Sequence, residues 1–341
     1  DGYYHFFNPV TEIFHSIPPY EGPDVQNGAM KIFLQYSDEI IFLGSSESGL
    51  YVLRYDGSKK TYDIKRLAAN EDEGTGTRVR FIHRDSSGNL WAGTRKGVWF
   101  ISVESVNNGE YTITPKYSDV SFTSVCETTD EIWFGSEGKG IFTFNKVTAE
   151  TGNLNAEGNP ELKSNFITHL YHTRNGIILA GFRDKGLMYT KVGGGVWKDL
   201  QFHSGNIDRI YEDKYDQLWL TAAEFGVTRF NLRDLSSKFY NLTPDEIKPL
   251  TDLERPHFYE DTHGNLWLGL HGNGLGIYDR IKDTFRFYRN DPGDPNTISS
   301  NFVHCITEDK SGQLWVGTGQ VLGGIVKVIP VNRAFNHYQP E

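Results

Sequence analysis

Apolar and polar residues alternate through NFVHCITE (301–308), stop at Asp309-Lys310-Ser311-Gly312, and resume in QLWVGT (313–318). A period of two marks a half-buried strand, and the Asp/Gly-rich interruption supplies turn chemistry. A Gly-rich stretch (319–324) and then GIVKVI (324–329) give a second turn and a third strand. The preceding repeat adds a fourth strand, TFRFYRN (284–290), and comparable segments are TYDIKRL (61–67), VWKDLQF (196–202) and SSKFYNL (236–242). No stretch sustains a helical period, so the pattern predicts an all-β chain.

The strand-turn-strand phrase recurs. Its clearest copies are GNLWAGTRKG (88–97), DEIWFGSEGKG (130–140), DQLWLTAAEFG (216–226), GNLWLGLHGNG (264–274) and GQLWVGTGQVLGG (312–324), with weaker ones at 39–49 and 176–186. The first small residue falls at Gly44, Gly93, Gly135, Gly181, Thr221, Gly269 and Gly317, at intervals of 40 to 49 residues. That period predicts a seven-bladed β-propeller of four-stranded antiparallel blades. The blades are expected near 28–67, 77–117, 119–150, 164–202, 205–242, 254–290 and 300–330, forming a single domain over 1–341. The third repeat is irregular, with little strand character over 143–164. Trp91, Trp133, Trp219, Trp267 and Trp315 hold one place in five copies and are read as packing between blades, with the following small residue letting the next sheet approach. YYHFF (3–7) and AFNHYQ (334–339) both resemble fourth strands. The N-terminal one is expected to close the last blade and 331–341 to lead into a following module.

Bulk composition narrows the function. A net charge of −10 argues against a nucleic-acid surface. No apolar run approaches the length that spans a membrane. The two cysteines, Cys126 and Cys305, lie in distant repeats and form no metal motif. A beginning at Asp1 without Met or leader points to a processed or excised segment.

Laid out as D-x-x-G-x-L-W-h-G-T, the repeat resembles the two-component regulator propeller. HRDSSGNLWAGT (83–94), EDTHGNLWLGL (260–270), EDKSGQLWVGT (308–318) and DPNTISSNFVHCITED (294–309) carry the resemblance. It implies a periplasmic, non-catalytic sensor segment of a hybrid histidine kinase that detects polysaccharide-derived oligosaccharides. It further implies adjacent propeller and β-sandwich modules in the same chain, a homodimeric receptor and no cofactor. Thr221 in place of Gly departs from the pattern, as do two extra residues in the last copy.

Ligand contacts are expected from the loops between second and third strands and from the entries to first strands, which a propeller presents on one face. The candidates are Arg80, Arg95, Arg183, Asp184, Asp208, Arg209, Glu224, His257, His271 and His304, a mixed set suited to an acidic or hydroxyl-rich oligosaccharide. Arg80, Thr168, Asp208 and His304 are expected at nearly equivalent places. Two other constellations fail: NDPGDPNT (290–297) lacks calcium-loop spacing, and His169 and His172 would point to opposite faces of a strand. The alternative functions are a protein-interaction scaffold or a lyase of the virginiamycin B type, whose W-(F/L)-T phrases resemble Trp219-Leu220-Thr221. His271, His257 and Glu224 would then serve as base and charge stabilisers, with Mg²⁺. Only one copy has that form.

Overall fold

A computed structural model describes residues 4–8, 13–17, 30–46, 48–59, 61–67, 78–183, 185–193, 196–200, 207–222, 226–242, 256–294, 296–309, 311–319, 324–329 and 334–338. The fold is a seven-bladed β-propeller. Each blade is a four-stranded antiparallel meander, and the strands cover 30–67, 79–118, 122–154, 167–199, 207–241, 257–288 and 303–338. Contacts divide the chain into two compact units, 1–4 with 15–206 and 5–14 with 207–341. The first contains blades one to four, the second blades five to seven. Five residues, Val103–Asn107, form a helix within the second blade, begun by the Ser102 side chain accepting from the Ser105 amide at 3.2 Å.

The expectation that the N-terminal strand closes the last blade is corrected. The fourth strand of that blade is Ala334–Tyr338, paired with Gly324–Ile329, while Tyr4–Asn8 pairs with Ile13–Ile17 in a two-stranded sheet. Only residues 330–333 separate the last two strands of the blade, so closing that hairpin costs far less chain entropy than recruiting the opposite end of the chain. The third blade also has a fourth strand, Thr151–Leu154, within the stretch read as irregular. In the fourth blade Lys198–Asp199 is the part of the expected segment that pairs among the described residues.

The repeated phrase folds as it does because its polar residues are wired locally. Asp85 accepts the amides of Ser87 at 3.0 Å and Asn89 at 2.8 Å, and its other oxygen accepts the Trp91 indole N–H at 2.8 Å. Asp213 with Trp219, Asp261 with Trp267 and Asp309 with Trp315 repeat the indole contact at 3.0, 2.8 and 2.7 Å. One carboxylate, buried at Asp85 and Asp213 and half-buried at Asp261 and Asp309, thus shapes the first turn and orients the aromatic ring. The rings then reach the next blade: Trp91 lies 5.0 Å from Phe144, and Trp219 lies 4.6 Å from Tyr278.

Blades lock to each other through two further devices. A Cβ on Gly44 would lie 2.7 Å from Val79 of the next blade, on Gly135 2.7 Å from Ile167, and on Gly269 2.6 Å from Val303. The small residue is therefore required by the approach of the neighbouring first strand. At the opposite end of that strand, Glu127 accepts the Ser86 amide at 2.9 Å and hydroxyl at 2.6 Å from the preceding blade's turn. Glu260 accepts the Lys214 amide at 2.8 Å, and Glu308 accepts the Thr262 amide at 2.8 Å. Burial opposes ionisation of Glu127, but hydrogen bonds from Lys146 and Ser86 overcome it and bring its pKa to about 2.

Candidate ligand-binding site

The register of the first strands slips by one residue between Met30 and Ile32, Val79 and Phe81, Phe122 and Ser124, Ile167 and His169, Ile207 and Arg209, and Val303 and Cys305. Each slip is a bulge, which takes one residue out of the ladder. Lys31, Arg80, Thr123, Thr168, Asp208 and His304 are the bulged residues, so the equivalence read from the sequence holds in the fold. In the sixth blade pairing begins at His257 opposite Gly269, and Pro256, which has no amide N–H to leave unpaired, takes the bulge position.

In the first unit two bulge-and-loop neighbours meet over one carboxylate. Arg80 donates to Glu137 Oε2 at 3.0 Å, Ser121 donates to the same oxygen at 3.0 Å, and Arg183 donates to Oε1 at 2.9 Å. The arrangement spans blades two, three and four. Its frame is main chain: the Glu137 amide donates to Ser121 O at 2.8 Å, while the amides of Gly138 and Gly140 donate to Asn165 O at 3.1 and 2.9 Å. Gly140 has φ +81°, and a Cβ there would meet Leu154 O at 2.2 Å, so the turn demands glycine. Arg183 sits 5.2 Å above the ring of Phe166, which is 42% exposed, and its amide donates to Phe166 O at 3.1 Å.

Charge here is lopsided. Burial lowers the pKa of Arg80, Glu137 opposes that shift, and the nearby Arg95 and Arg78 add to it. Burial would raise Glu137, but Arg80, Ser121 and Arg183 hold it below the usual carboxylate range. Among the described residues, neither Arg78 nor Arg95 has a carboxylate partner.

The second unit repeats the frame with different chemistry. The amides of Gly272 and Gly274 each donate to Asn301 O at 2.9 Å, and that of Gly319 to Phe302 O at 2.9 Å. His271 occupies the place of Glu137 and pairs with Phe302 as Glu137 does with Phe166. The His271 ring is 4.6 Å from that of His304, edge to face, and His304 Nε2–H donates to Gly319 O. His257 is half-buried, and its buried Nδ1 has no hydrogen-bond partner among the described residues. Burial, with the Arg209 charge adding, lowers its pKa to about 4.

The structure therefore brings together Arg80, Arg95 and Arg183 in one unit, and pairs Arg209 with His257 and His271 with His304 in the other. Asp184 and Glu224 lie outside the described residues, as does the side chain of Asp208. Ser121 and Phe166 were missed by the sequence reading. A signal was present: Ser-Asn-Phe occurs at 164–166 and 300–302, and in both places the Asn carbonyl and the Phe main chain strap two loops together. Among the described residues no three His, Cys, Asp or Glu groups gather as a metal site. In 290–297, Asp291 and Asp294 accept the amides of Gly293 and Asn296, each at 2.9 Å, as turn residues.

Residues 297–320 match the family model described as "Two component regulator propeller". The last Asp-to-Trp phrase is a regulator-propeller repeat. Its Asn301, Asp309 and Trp315 are the strap, turn and indole positions described above. No curated protein matches the chain. Among solved structures, the extracellular domain assigned to the hybrid two component system BT3049 of B. thetaiotaomicron superposes with a TM-score of 0.63 at 19% identity, over 88% of this chain and 40% of that one. The chain thus spans well under half of that domain. The computationally designed Ika8 protein superposes with a TM-score of 0.59 at 12% identity, over 92% of this chain and 87% of that one. A catalytically inactive virginiamycin B lyase from Staphylococcus aureus, with quinupristin, does so with 0.59 at 14%, over 86% and 93%. An extracellular receptor domain, a designed protein and an enzyme share the architecture, so these likenesses establish the fold alone. Among the described residues no helix is long and apolar enough to cross a membrane.

Proposed function

We propose that this chain is the ligand-sensing propeller of a periplasmic receptor of the two-component type, that its ligand is an oligosaccharide released from a polysaccharide, and that binding is signalled to a histidine kinase. The regulator-propeller repeat at 297–320 carries the first part of this reading. Polar clusters on bulges and loops of a rigid frame, each beside an exposed aromatic or a histidine pair, support the second. The receptor reading brings with it a neighbouring propeller and β-sandwich module and a homodimer. The segment itself performs no chemistry. A pKa near 4 makes His257 a weak base at neutral pH, which counts against the lyase alternative.

Calorimetric titration with a panel of oligosaccharides of differing linkage and charge tests the reading. Saturable heat with at least one of them, lost in Arg183→Ala or His304→Ala, is expected. Absence of heat across the panel would leave scaffolding as the role of this segment.

A further inference from the structure

Glu137 occupies a position that an external carboxylate could occupy equally well. Its two oxygens are addressed separately, one by Arg80 and Ser121 and the other by Arg183, which is the two-point recognition a planar carboxylate needs. Three blades supply those donors, so the site is built and not a chance surface pair. The internal ion pairs are only part-buried, with side-chain exposures of 18% for Arg80, 29% for Glu137 and 47% for Arg183. Pairs so exposed contribute little, and exchanging one carboxylate for another costs correspondingly little. Arg95 is exposed, lies close enough to oppose the charge of Arg80, and has no carboxylate partner among the described residues. The exposed ring of Phe166 beneath Arg183 offers an apolar face beside the charged donors.

We propose that Arg80, Arg95 and Arg183 form a carboxylate-binding subsite that Glu137 fills in the empty protein, and that it takes the carboxylate of a uronic acid whose sugar ring lies on Phe166. The ligand carboxylate displaces Glu137 and recruits Arg95. The proposal rests on the oligosaccharide reading for its sugar but not for its anion.

Trigalacturonate and the matched neutral trigalactoside are titrated into wild type, E137Q, R183Q and R95Q, whose folding is checked by circular dichroism. Trigalacturonate is expected to bind about tenfold tighter to E137Q and at least about tenfold weaker to R183Q. R95Q, an exposed position that folding does not require, is expected to weaken it by a smaller factor. Salt should weaken the acidic ligand and not the neutral one. Unchanged or weaker binding by E137Q, or equal affinity for the two sugars, overturns the subsite. Binding of the neutral sugar alone overturns it while sparing the oligosaccharide reading. If neither sugar binds but sodium acetate shifts the Arg80 and Arg183 side-chain NMR signals, more so in E137Q, the carboxylate subsite stands and the uronic-acid assignment falls.

Discussion

Asp213 is the carboxylate of the repeated turn that also accepts a guanidinium from the next blade. It accepts the amides of Tyr215 at 2.9 Å and Gln217 at 3.1 Å, the Trp219 indole at 3.0 Å and Arg280 at 2.9 Å, with no side-chain exposure. Asp213→Ala leaves a buried indole N–H without its acceptor and Arg280 with Glu260 alone. A loss of about 3 kcal/mol is expected, read as a lower midpoint in urea. Gly135→Ala fails differently, because its new methyl meets Ser124 Oγ at 2.6 Å and Ile167 Cγ2 at 2.7 Å. It is expected to cost about 1–3 kcal/mol through overpacking, whereas Ala at the open Gly176 meets no neighbour and strains only the backbone, at φ +73°.

Strands and turns were legible where their signals are local. The Asp, Gly, Trp and small residue of each phrase bond within one hairpin or touch the adjacent strand, so the text and the wiring have the same period. Fourth strands lack such wiring. YYHFF, AFNHY and TFRFY alternate alike, and chain connectivity, not residue type, decides that Ala334–Tyr338 completes the last blade. Thr151–Leu154 is TGNL, with Gly and Asn where strands favour branched or aromatic residues, and its pairing is imposed by the neighbour Ile141–Asn145. The binding candidates were legible as a shared face but not as partners. That Glu137 joins Arg80 to Arg183 depends on the strap at Asn165 drawing one loop over another. The equivalent strap is testable at Asn301, whose side-chain oxygen accepts the Asn290 amide at 2.7 Å. Asn301→Ala is expected to cost about 1–2 kcal/mol and to quicken amide exchange at Asn290, Gly272 and Gly274.

For the molecule as a whole, acid is the expected weakness. His257 is neutral when folded, with a pKa near 4 against an ordinary 6.5. As pH falls below 6.5 the unfolded chain takes up a proton that the folded chain refuses. Stability is therefore lost down to about pH 4, where the folded state also protonates, by up to about 3 kcal/mol. Glu127, held near 2 against 4.5, is fully stabilising above pH 4.5 and loses its contribution as pH falls toward 2. Thermal midpoints measured from pH 7 to 4 should fall less steeply in His257→Gln than in wild type. An unchanged slope would remove His257 from the account.

Because the last blade takes its fourth strand from the residues that directly follow the third, every four-stranded sheet is made from one uninterrupted stretch of chain. No sheet waits for a distant segment. During synthesis each one can pair fully once its own few dozen residues have left the ribosome, and the low sequence separation of its contacts favours rapid pairing. A ribosome-stalled nascent chain with Asn241 just clear of the exit tunnel should accordingly show protected amides in blade five before blade six has emerged.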